Sequence, residues 1–453
     1  GRRMADSMSG VEAVDRLDSH GLRDLAGQQA VVLGLARQGT ALARFLAEAG
    51  VQVTVSDLRK DAALKDALEA LADLPIRYVL GKHPTSMLRG ADVLFLSGGV
   101  PLDTPIVVEA VKRGIPLSND AQIFLERCPA PVIGITGAAG KTTTTALVGE
   151  MCRVDGRRYW VGGNIGNPLL SDLAQIGPDD WVVMELSSFQ LEIMTVSPHV
   201  GAILNVTPNH LDRHKTMETY IAAKRNIIAH QRSEDFALLG YDDAAARALA
   251  LDTAAQLVWF SDRAEVEQGA FKTNGELTLR WQGADRVICH TEEVRLRGRH
   301  NLRNVLAASA LAATAGVELA AMREVAQSFA GVEHRMEIFC ERNGVQWVDD
   351  SIATAPERSV AALRSFQEPI ILLAGGRDKQ LPWGEFAEEA VQRVKQLITF
   401  GESGPMIARV VEQRLGGDAA PAGERALQAV TQVGSLEEAV ELAADRALAL
   451  GDD

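Results

Sequence analysis

Cysteine is scarce in this chain: 453 residues carry four (Cys128, Cys152, Cys289, Cys340), none of them in a CxxC pair. A disulfide framework or a cysteine-based zinc site is therefore excluded as the organising device, and reduced thiols are expected. Positive charge is also in short supply. Lys and Arg number 46 against 60 Asp and Glu, a formal net charge of −14. This argues against nucleic acid as a partner, because phosphate-backbone binding leaves a basic footprint. No apolar run approaches the roughly 20 residues that span a bilayer, and the N-terminal region has no signal-peptide apolar core. A cytoplasmic protein is expected, with no membrane partner and with Gly1 to Met8 as a loose tail. Low-complexity tracts and short-period repeats are absent too.

What is present is apolar sequence punctuated for α/β structure. Hydrophobic residues make up 47% of the chain, enough for several cores. The first block opens with "AVVLGLARQGTALARFLAEAGVQVTVSDLR", where a strand from Ala30 to Leu33 enters a turn bracketed by Gly34 and Gly39. An amphipathic helix follows, then a strand ending at Asp57; "ADVLFLSGGVP" supplies another strand. The second block opens near Pro131 and contains "VIGITG", "WVVMELS" and "GAILNVT", with short strands across 255–297. The third opens near Glu333 with "GVQWVDDS", "PIILLAGGRDK" and "VKQLITFGES". Alternating strands and helices predict parallel sheets in an α/β fold. The expected domains are 1–129, 130–332 and 333–453.

The chemistry concentrates in "GITGAAGKTTTT", residues 134–145. It departs from G-x-x-x-x-G-K-[ST], because Ile135 stands where the first glycine would. The shorter form runs Gly137-Ala138-Ala139-Gly140-Lys141-Thr142-Thr143 and keeps the mechanics. Glycines turn the backbone N–H groups inward, the helix start adds partial positive charge, Lys141 reaches phosphate and Thr142 offers a hydroxyl to Mg²⁺. Glu185 ends the apolar strand "WVVMELS", where parallel sheets present ligand-binding groups. "LNVTPNHLDRH" ends the next strand with Asn205, Thr207, Asn209, His210 and Asp212. In "GRHNLRNVLAA", Asn301 and Asn304 lie a turn apart and either face one ligand or form a capping cluster. Arg335 suits stabilisation of a transferring phosphoryl group, with a surface arginine as the plainer reading. Asp349, Asp350, Arg377 and Lys379 sit on strand-end turns that suit a substrate or simply solvent. The first block lacks G-x-G-x-x-G, which leaves a nicotinamide dehydrogenase with little support. By its own residue type and helix, Lys224 reads as an ordinary surface lysine.

The segments "GITGAAGKTT", "GGNIGNP", "ELSSFQLE", "NVTPNHLDRH", "YIAAK", "GRHNLRN", "HRMEIF" and "DDSIATAP" together resemble the Mur ligases of peptidoglycan synthesis, from about Ala30 to the C-terminus. The resemblance implies a Rossmann-like UDP-binding domain, a central P-loop ATPase-like domain and a C-terminal Rossmann-like domain that binds an amino acid. "ELSSFQLE" beside "GGNIGNP" resembles the glutamate-adding member. The implied partners are UDP-N-acetylmuramoyl-L-alanine, D-glutamate and ATP with two Mg²⁺ ions, and the implied state is a monomer.

Roles carry over residue by residue. Gly137, Ala138, Ala139, Gly140, Lys141, Thr142 and Thr143 would hold ATP phosphates, and Asn301, Arg335 and Asp350 would contact ATP. Thr142, Glu185, His210 and Lys224 would hold the metals, Lys224 as a carbamate. Lys141, His210, Lys224 and Arg335 would be catalytic. Arg37, Gln38, Asp57, Arg59 and Gly99 would take the UDP moiety, Asn164, Ser187 and Gln190 the muramoyl-alanine end, and Thr354 and Lys379 the glutamate. A sister ligase for L-glutamate or another amino acid, or an inactive binding-only relative, are the alternatives. Two departures stand out. Ile352 occupies a position where the family often has lysine. The chain ends at "ALGDD", where the family usually continues into another strand and a Ser-rich loop.

Overall fold

The structure is a computed structural model that describes residues 24–450 except 98–99, 165–167, 208–215, 333–336, 352, 354–355, 365, 367, 377–382 and 417–424. The chain divides into two compact units, one running to Phe329 and one from Ala330.

The first unit holds two sheets. One is parallel, with β1 (Gln29–Leu33), β2 (Gln52–Asp57), β3 (Arg77–Leu80), β4 (Val93–Leu96) and β5 (Leu117–Ser118) in the order β3-β2-β1-β4-β5. Its strand β1 is apolar on both faces because helices cover both, as a doubly wound sheet requires. Helix α1 (Arg37–Glu48) buries Leu42, Ala43, Phe45 and Leu46 against one face. Helix α2 (Pro105–Lys112) starts on Pro105 and buries Ile106, Val107 and Ala110 against the other. Helix α3 (Asp120–Arg127) leads out of the sheet, capped by Asn119, whose side chain accepts from the Gln122 N–H.

The second sheet has nine strands: β6 (Val132–Thr136), β7 (Tyr159–Gly163), β8 (Trp181–Glu185), β9 (Val200–Ile203), β10 (Phe236–Gly240), β11 (Gln256–Ser261), β12 (Gly269–Thr273), β13 (Glu276–Trp281) and β14 (Ala284–His290). The order is β14-β13-β12-β11-β10-β9-β6-β8-β7. Strands β12 to β14 are antiparallel and the rest parallel. The helices that matter here are α4 (Lys141–Val154), α5 (Ser188–Leu191), α6 (Met217–Arg225), α7 (Arg299–Thr314) and α8 (Leu319–Ser328). Helix α7 is alanine-rich and buried along most of its length, lying against α4 and the sheet in one apolar cluster.

The second unit has a hairpin, β15 (Glu337–Arg342) with β16 (Val345–Asp349), and a parallel sheet of β17 (Ile370–Gly375), β18 (Val394–Phe400) and β19 (Ala429–Gln432). Helices α9 (Pro356–Leu363), α10 (Gly384–Arg393), α11 (Gly404–Gly416) and α12 (Leu436–Leu450) accompany it. Among the described residues no helix is long and apolar enough to cross a membrane. All four cysteines are free thiols. Burial pushes those of Cys128, Cys152 and Cys289 up to about 11, so they stay protonated and unreactive.

One glycine sets a strand end at the functional edge. Gly163 closes β7 with φ +99°, and a Cβ there would collide with the Glu185 carbonyl and Met184 Cγ. Both the left-handed backbone and the close approach demand glycine. Gly163→Ala is expected to lower unfolding stability by roughly 2 kcal/mol, read as an earlier urea midpoint at unchanged slope. An unchanged midpoint would contradict this account of the β7–β8 edge.

Candidate active site

The site grows from the register of three parallel strands. Ile135 of β6 pairs with Glu185 of β8, and Thr136 of β6 with Ile203 of β9. Their C-terminal ends therefore reach the same level, and the chain beyond each end faces the same crevice.

After β6 the backbone turns through Gly137–Gly140 into α4. Gly140 is the N-cap, with φ +84°, and a Cβ there would collide with Asn304 Oδ1. The first turn of α4 thus opens with backbone N–H groups directed out of its end, a ready anion site. Lys141 curls back over the loop, its Nζ donating to the Gly137 carbonyl at 2.9 Å. Asn205, two residues past β9, braces the loop from the neighbouring strand end. The Ala139 N–H donates to its Oδ1 (2.9 Å), its Nδ2 donates to the Ala139 carbonyl (3.0 Å), and the Ala138 N–H donates to its backbone carbonyl (3.1 Å). In sequence Asn205 is one of several polar strand-end residues, with nothing local to single it out. A side-chain amide can accept from the N–H and donate to the C=O of one residue at once.

Glu185 is 3% exposed. Thr142 donates its hydroxyl to Glu185 Oε2 at 2.7 Å, and Asn164 Nδ2 donates to Oε1 at 3.2 Å. The Asn164 N–H also donates to the Glu185 carbonyl at 2.9 Å. Just before Asn164, the Gly163 carbonyl receives a hydrogen bond from Nε2 of Gln38 on α1. Gln38, Asn164, Glu185 and Thr142 therefore form one continuous run of contacts.

Lys224 is the unexpected burial. Its helix α6 is capped by Thr216 and buries Tyr220, Ala223 and Lys224. Lys224 is 1% exposed, its Nζ 3.2 Å from Thr136 Oγ1 and 4.7 Å from the centre of the Tyr220 ring. Burial, reinforced by the like charge of Lys141 and only partly offset by Glu185, pushes its amine down to about 6. The shift favours the uncharged amine at neutral pH.

Helix α7 joins from the far side. Asp262 receives hydrogen bonds from Arg299 and from Arg303, the latter at 2.9 Å, and fixes the helix start. Asn304 Nδ2 then donates to Asn301 Oδ1 (3.2 Å), and Thr144 lies 3.4 Å from Asn304 Oδ1. Asn301 donates to the Arg297 carbonyl (2.7 Å). The two asparagines border the phosphate loop together, and the N-cap of α7 is Gly298 without a side-chain cap.

In the first sheet, Asp57 ends β2. It accepts from the Leu35 N–H (2.8 Å) and from the Arg59 N–H (2.8 Å), and pairs with the Arg59 guanidinium at 2.9–3.0 Å. Burial alone would raise this carboxyl, but those bonds outweigh it and hold it down to about 2. Arg37 is exposed at the start of α1. Ser187 and Gln190 are tied to each other in a capping box on α5. Asp350 follows β16 in the second unit. His210, Gly99, Arg335, Thr354 and Lys379 lie outside the described residues.

The donor set suits a hard cation. A threonine hydroxyl and a carboxylate meet at 2.7 Å beside an anion-binding loop, and both are oxygen ligands of the kind Mg²⁺ takes.

Three family models match successive stretches of the chain: "Mur ligase MurD-like, N-terminal domain" over 28–119, "Mur ligase middle domain" over 135–312 and "Mur ligase, glutamate ligase domain" over 334–452. With the phosphate loop and its acidic partner in the second of these, the chain belongs to the Mur ligase family, a family of ATP-dependent ligases with three α/β domains. It is similar to the UDP-N-acetylmuramoylalanine–D-glutamate ligase of Symbiobacterium thermophilum, 41% identical over 93% of this chain and 90% of that one. The ligase of the same name from Acetivibrio thermocellus is 38% identical over 93% and 89%. Two solved structures share the fold. They are the UDP-N-acetylmuramoylalanyl-D-glutamyl-2,6-diaminopimelate–D-alanyl-D-alanyl ligase of Acinetobacter baumannii (TM-score 0.53, 16% identity, 94% and 92% covered) and the UDP-N-acetylmuramate-alanine ligase of Thermotoga maritima (0.50, 20%, 93% and 99%).

The Lys224 environment predicts a pH dependence with a definite sign. Its folded pKa of about 6 lies below the usual 10.5. Between these values the unfolded chain binds a proton that the folded chain does not, so Lys224 makes stability rise with pH, by up to roughly 1.4 kcal/mol per pH unit. In CO₂-free buffer, Lys224→Met should lose this part of the slope and gain most over wild type near pH 6. Equal slopes in urea melts at pH 6.5 and 9 would show that the lysine is not held uncharged.

Proposed function

We propose that this chain, acting as a cytoplasmic monomer, joins D-glutamate to UDP-N-acetylmuramoyl-L-alanine at the expense of ATP. The observation that carries the reading is the run of whole-chain relatives bearing that activity in their name, at 38–41% identity, over a site whose phosphate loop and acidic strand end are intact.

The chemistry follows from a carboxylate being a poor electrophile. The γ-phosphoryl group of ATP passes to the alanyl carboxylate, giving an acyl phosphate and ADP. The glutamate amine attacks the acyl carbon, loses a proton, and phosphate leaves from the tetrahedral intermediate. Little covalent work falls to the protein; positioning and charge neutralisation carry the rate. The N–H groups of the Gly137–Thr143 loop and Lys141 hold the phosphates. Asn301 and Asn304 border the nucleotide. Thr142 and Glu185 hold Mg²⁺, which would neutralise phosphate charge when bound. Gln38, Asp57, Arg59 and Arg37 hold the UDP end, and Asn164, Ser187 and Gln190 the muramoyl-alanine end. His210 and Arg335 complete the metal and phosphoryl contacts, Asp350 meets ATP, and Thr354 and Lys379 take the glutamate carboxylates.

Lys224 acts as a carbamate in this reading. An uncharged amine adds to CO₂, forming an N–C bond and releasing a proton, and becomes an anion. Like-charge repulsion from Lys141 then turns into attraction, and the buried site gains a metal-binding oxygen pair. Intact-mass measurement in bicarbonate should show one CO₂ increment on wild type, absent from Lys224→Arg. Lys224→Arg should also lose at least about 100-fold in kcat. A wild-type rate indifferent to CO₂ removal, with no mass increment, would remove the carbamate from the account.

The direct test supplies ATP, Mg²⁺ and UDP-N-acetylmuramoyl-L-alanine with D- or L-glutamate, and follows product mass and phosphate release together. Product with D-glutamate alone is expected. Product with L-glutamate would move the chain to a sister specificity. Phosphate release without product would mean that the acyl phosphate forms and is hydrolysed.

A further inference from the structure

The segment joining the two sheets of the first unit, "SNDAQIF" at 118–124, carries polar side chains that the reaction as described does not use. Asn119, Asp120 and Gln122 are all buried, as is Gln190 on α5. Asn119 Nδ2 donates to the Gln190 carbonyl at 2.9 Å. Gln122 Nε2 donates to Thr195 Oγ1 at 2.9 Å, and its Oε1 accepts from the Thr195 N–H at 3.0 Å. The stretch from Gln190 to Thr195 is therefore held at both ends by the start of α3.

Between these anchors stands Asp120. Its two carboxyl oxygens lie 3.3 and 3.4 Å from Gln190 Nε2. The other end of that amide is committed: Gln190 Oε1 accepts from the Ser187 N–H (3.0 Å) and from the Ser187 hydroxyl (3.1 Å). The backbone N–H of Ser187 can only donate, so the oxygen of Gln190 must face it and the NH₂ must face Asp120. Remove the acceptor at 120, and the amide keeps its oxygen on the Ser187 N–H but loses the contact that anchors its nitrogen end. An amide with a free nitrogen end can swing away from the Ser187 hydroxyl, which then keeps only its acceptance from the Gln190 backbone N–H at 3.2 Å and can turn its proton elsewhere.

We propose that Asp120 is a positioning residue for the muramoyl-alanine substrate, acting through Gln190 to fix the direction of the Ser187 hydroxyl. This rests on the reading above that Ser187 and Gln190 meet that substrate. Burial raises the Asp120 carboxyl above its ordinary range, which suits a neutral partner to an amide. Asparagine at 120 keeps an acceptor for Gln190 Nε2 whichever state the acid holds.

The test uses the full chain with kcat, the KM for UDP-N-acetylmuramoyl-L-alanine and the KM for ATP in wild type, Asp120→Ala, Asp120→Asn, Gln190→Ala and the Asp120→Ala/Gln190→Ala pair. Asp120→Ala should raise the KM for the muramoyl nucleotide about 10-fold while the KM for ATP moves less than about 2-fold. Asp120→Asn should stay within about 3-fold of wild type, and the pair should be no worse than Gln190→Ala alone. Asp120→Leu, which fills the site without an acceptor, takes the alanine's place where a cavity prevents folding. The proposal falls if Asp120→Asn is as damaged as alanine, if the KM for ATP rises in step, or if the pair is additive. Wild type without product overturns the functional reading and this role together. Active wild type with Asp120→Ala and Asp120→Leu unchanged overturns this role alone.

Discussion

The pairing of β6 between β8 and β9 is the constraint on which the candidate site depends. A parallel register that sets Ile135 opposite Glu185 and Thr136 opposite Ile203 ends three strands at one level. A phosphate loop leaves the central strand, a carboxylate ends one neighbour, and an asparagine follows the other. None of these groups would meet if the register slipped by one residue, because alternate side chains point to opposite faces. The loop is also built to be quiet without ligand. Asn205 satisfies backbone groups on both sides of Ala139, so the remaining N–H groups at the α4 start can be left for an anion.

The charges at this edge are arranged for a polyanion and a cation arriving together. Two lysines and one glutamate share the crevice, and their unequal burial separates their roles. Lys141 is half-buried at the loop, its ammonium nitrogen on the Gly137 carbonyl. Lys224 is enclosed by Tyr220 and Thr136 and gives its charge up. An ammonium in both places would repel, and burial decides which yields. What looks in sequence like two equivalent basic residues is in the folded chain one partly exposed lysine and one whose amine burial pushes down.

The legibility of these features varied with how local their causes are. The phosphate loop could be read directly, since a strand, two glycines, Lys and Thr are contiguous. Glu185 was readable from its place at the end of an apolar strand. The three α/β blocks followed from apolar runs and their punctuation. Lys224 could not be read from residue type, yet a periodic signal existed. Tyr220, Ala223, Lys224 and Ile227 fall on one helical stripe, and the other three are buried. A lysine within an apolar stripe is a better predictor of burial than its own polarity. The bracing by Asn205 and the clamp from Asn119 to Gln122 were not legible. They depend on which loops the sheet order brings together, 66 and 70 residues apart in chain for the Asn205–Ala139 and Asp120–Gln190 contacts.

Both routes from the first sheet to the phosphate loop run to the end of β8. Gln38 reaches Gly163, whose neighbour Asn164 bonds the Glu185 side chain and backbone. Asp120 reaches Gln190, which in turn bonds Ser187, the second residue beyond Glu185. Glu185 itself faces Thr142 at the start of α4. The carboxylate proposed to hold the metal is therefore fixed from one side by Thr142 of the phosphate loop and from another by Asn164 at the proposed muramoyl-nucleotide site. A reaction that joins phosphate to a carboxylate needs the attacking oxygen and the phosphorus held about 3–3.5 Å apart and in line. A shared, buried strand end gives both sites the same reference point, so that ordering either one leaves less freedom to be lost when the other is filled.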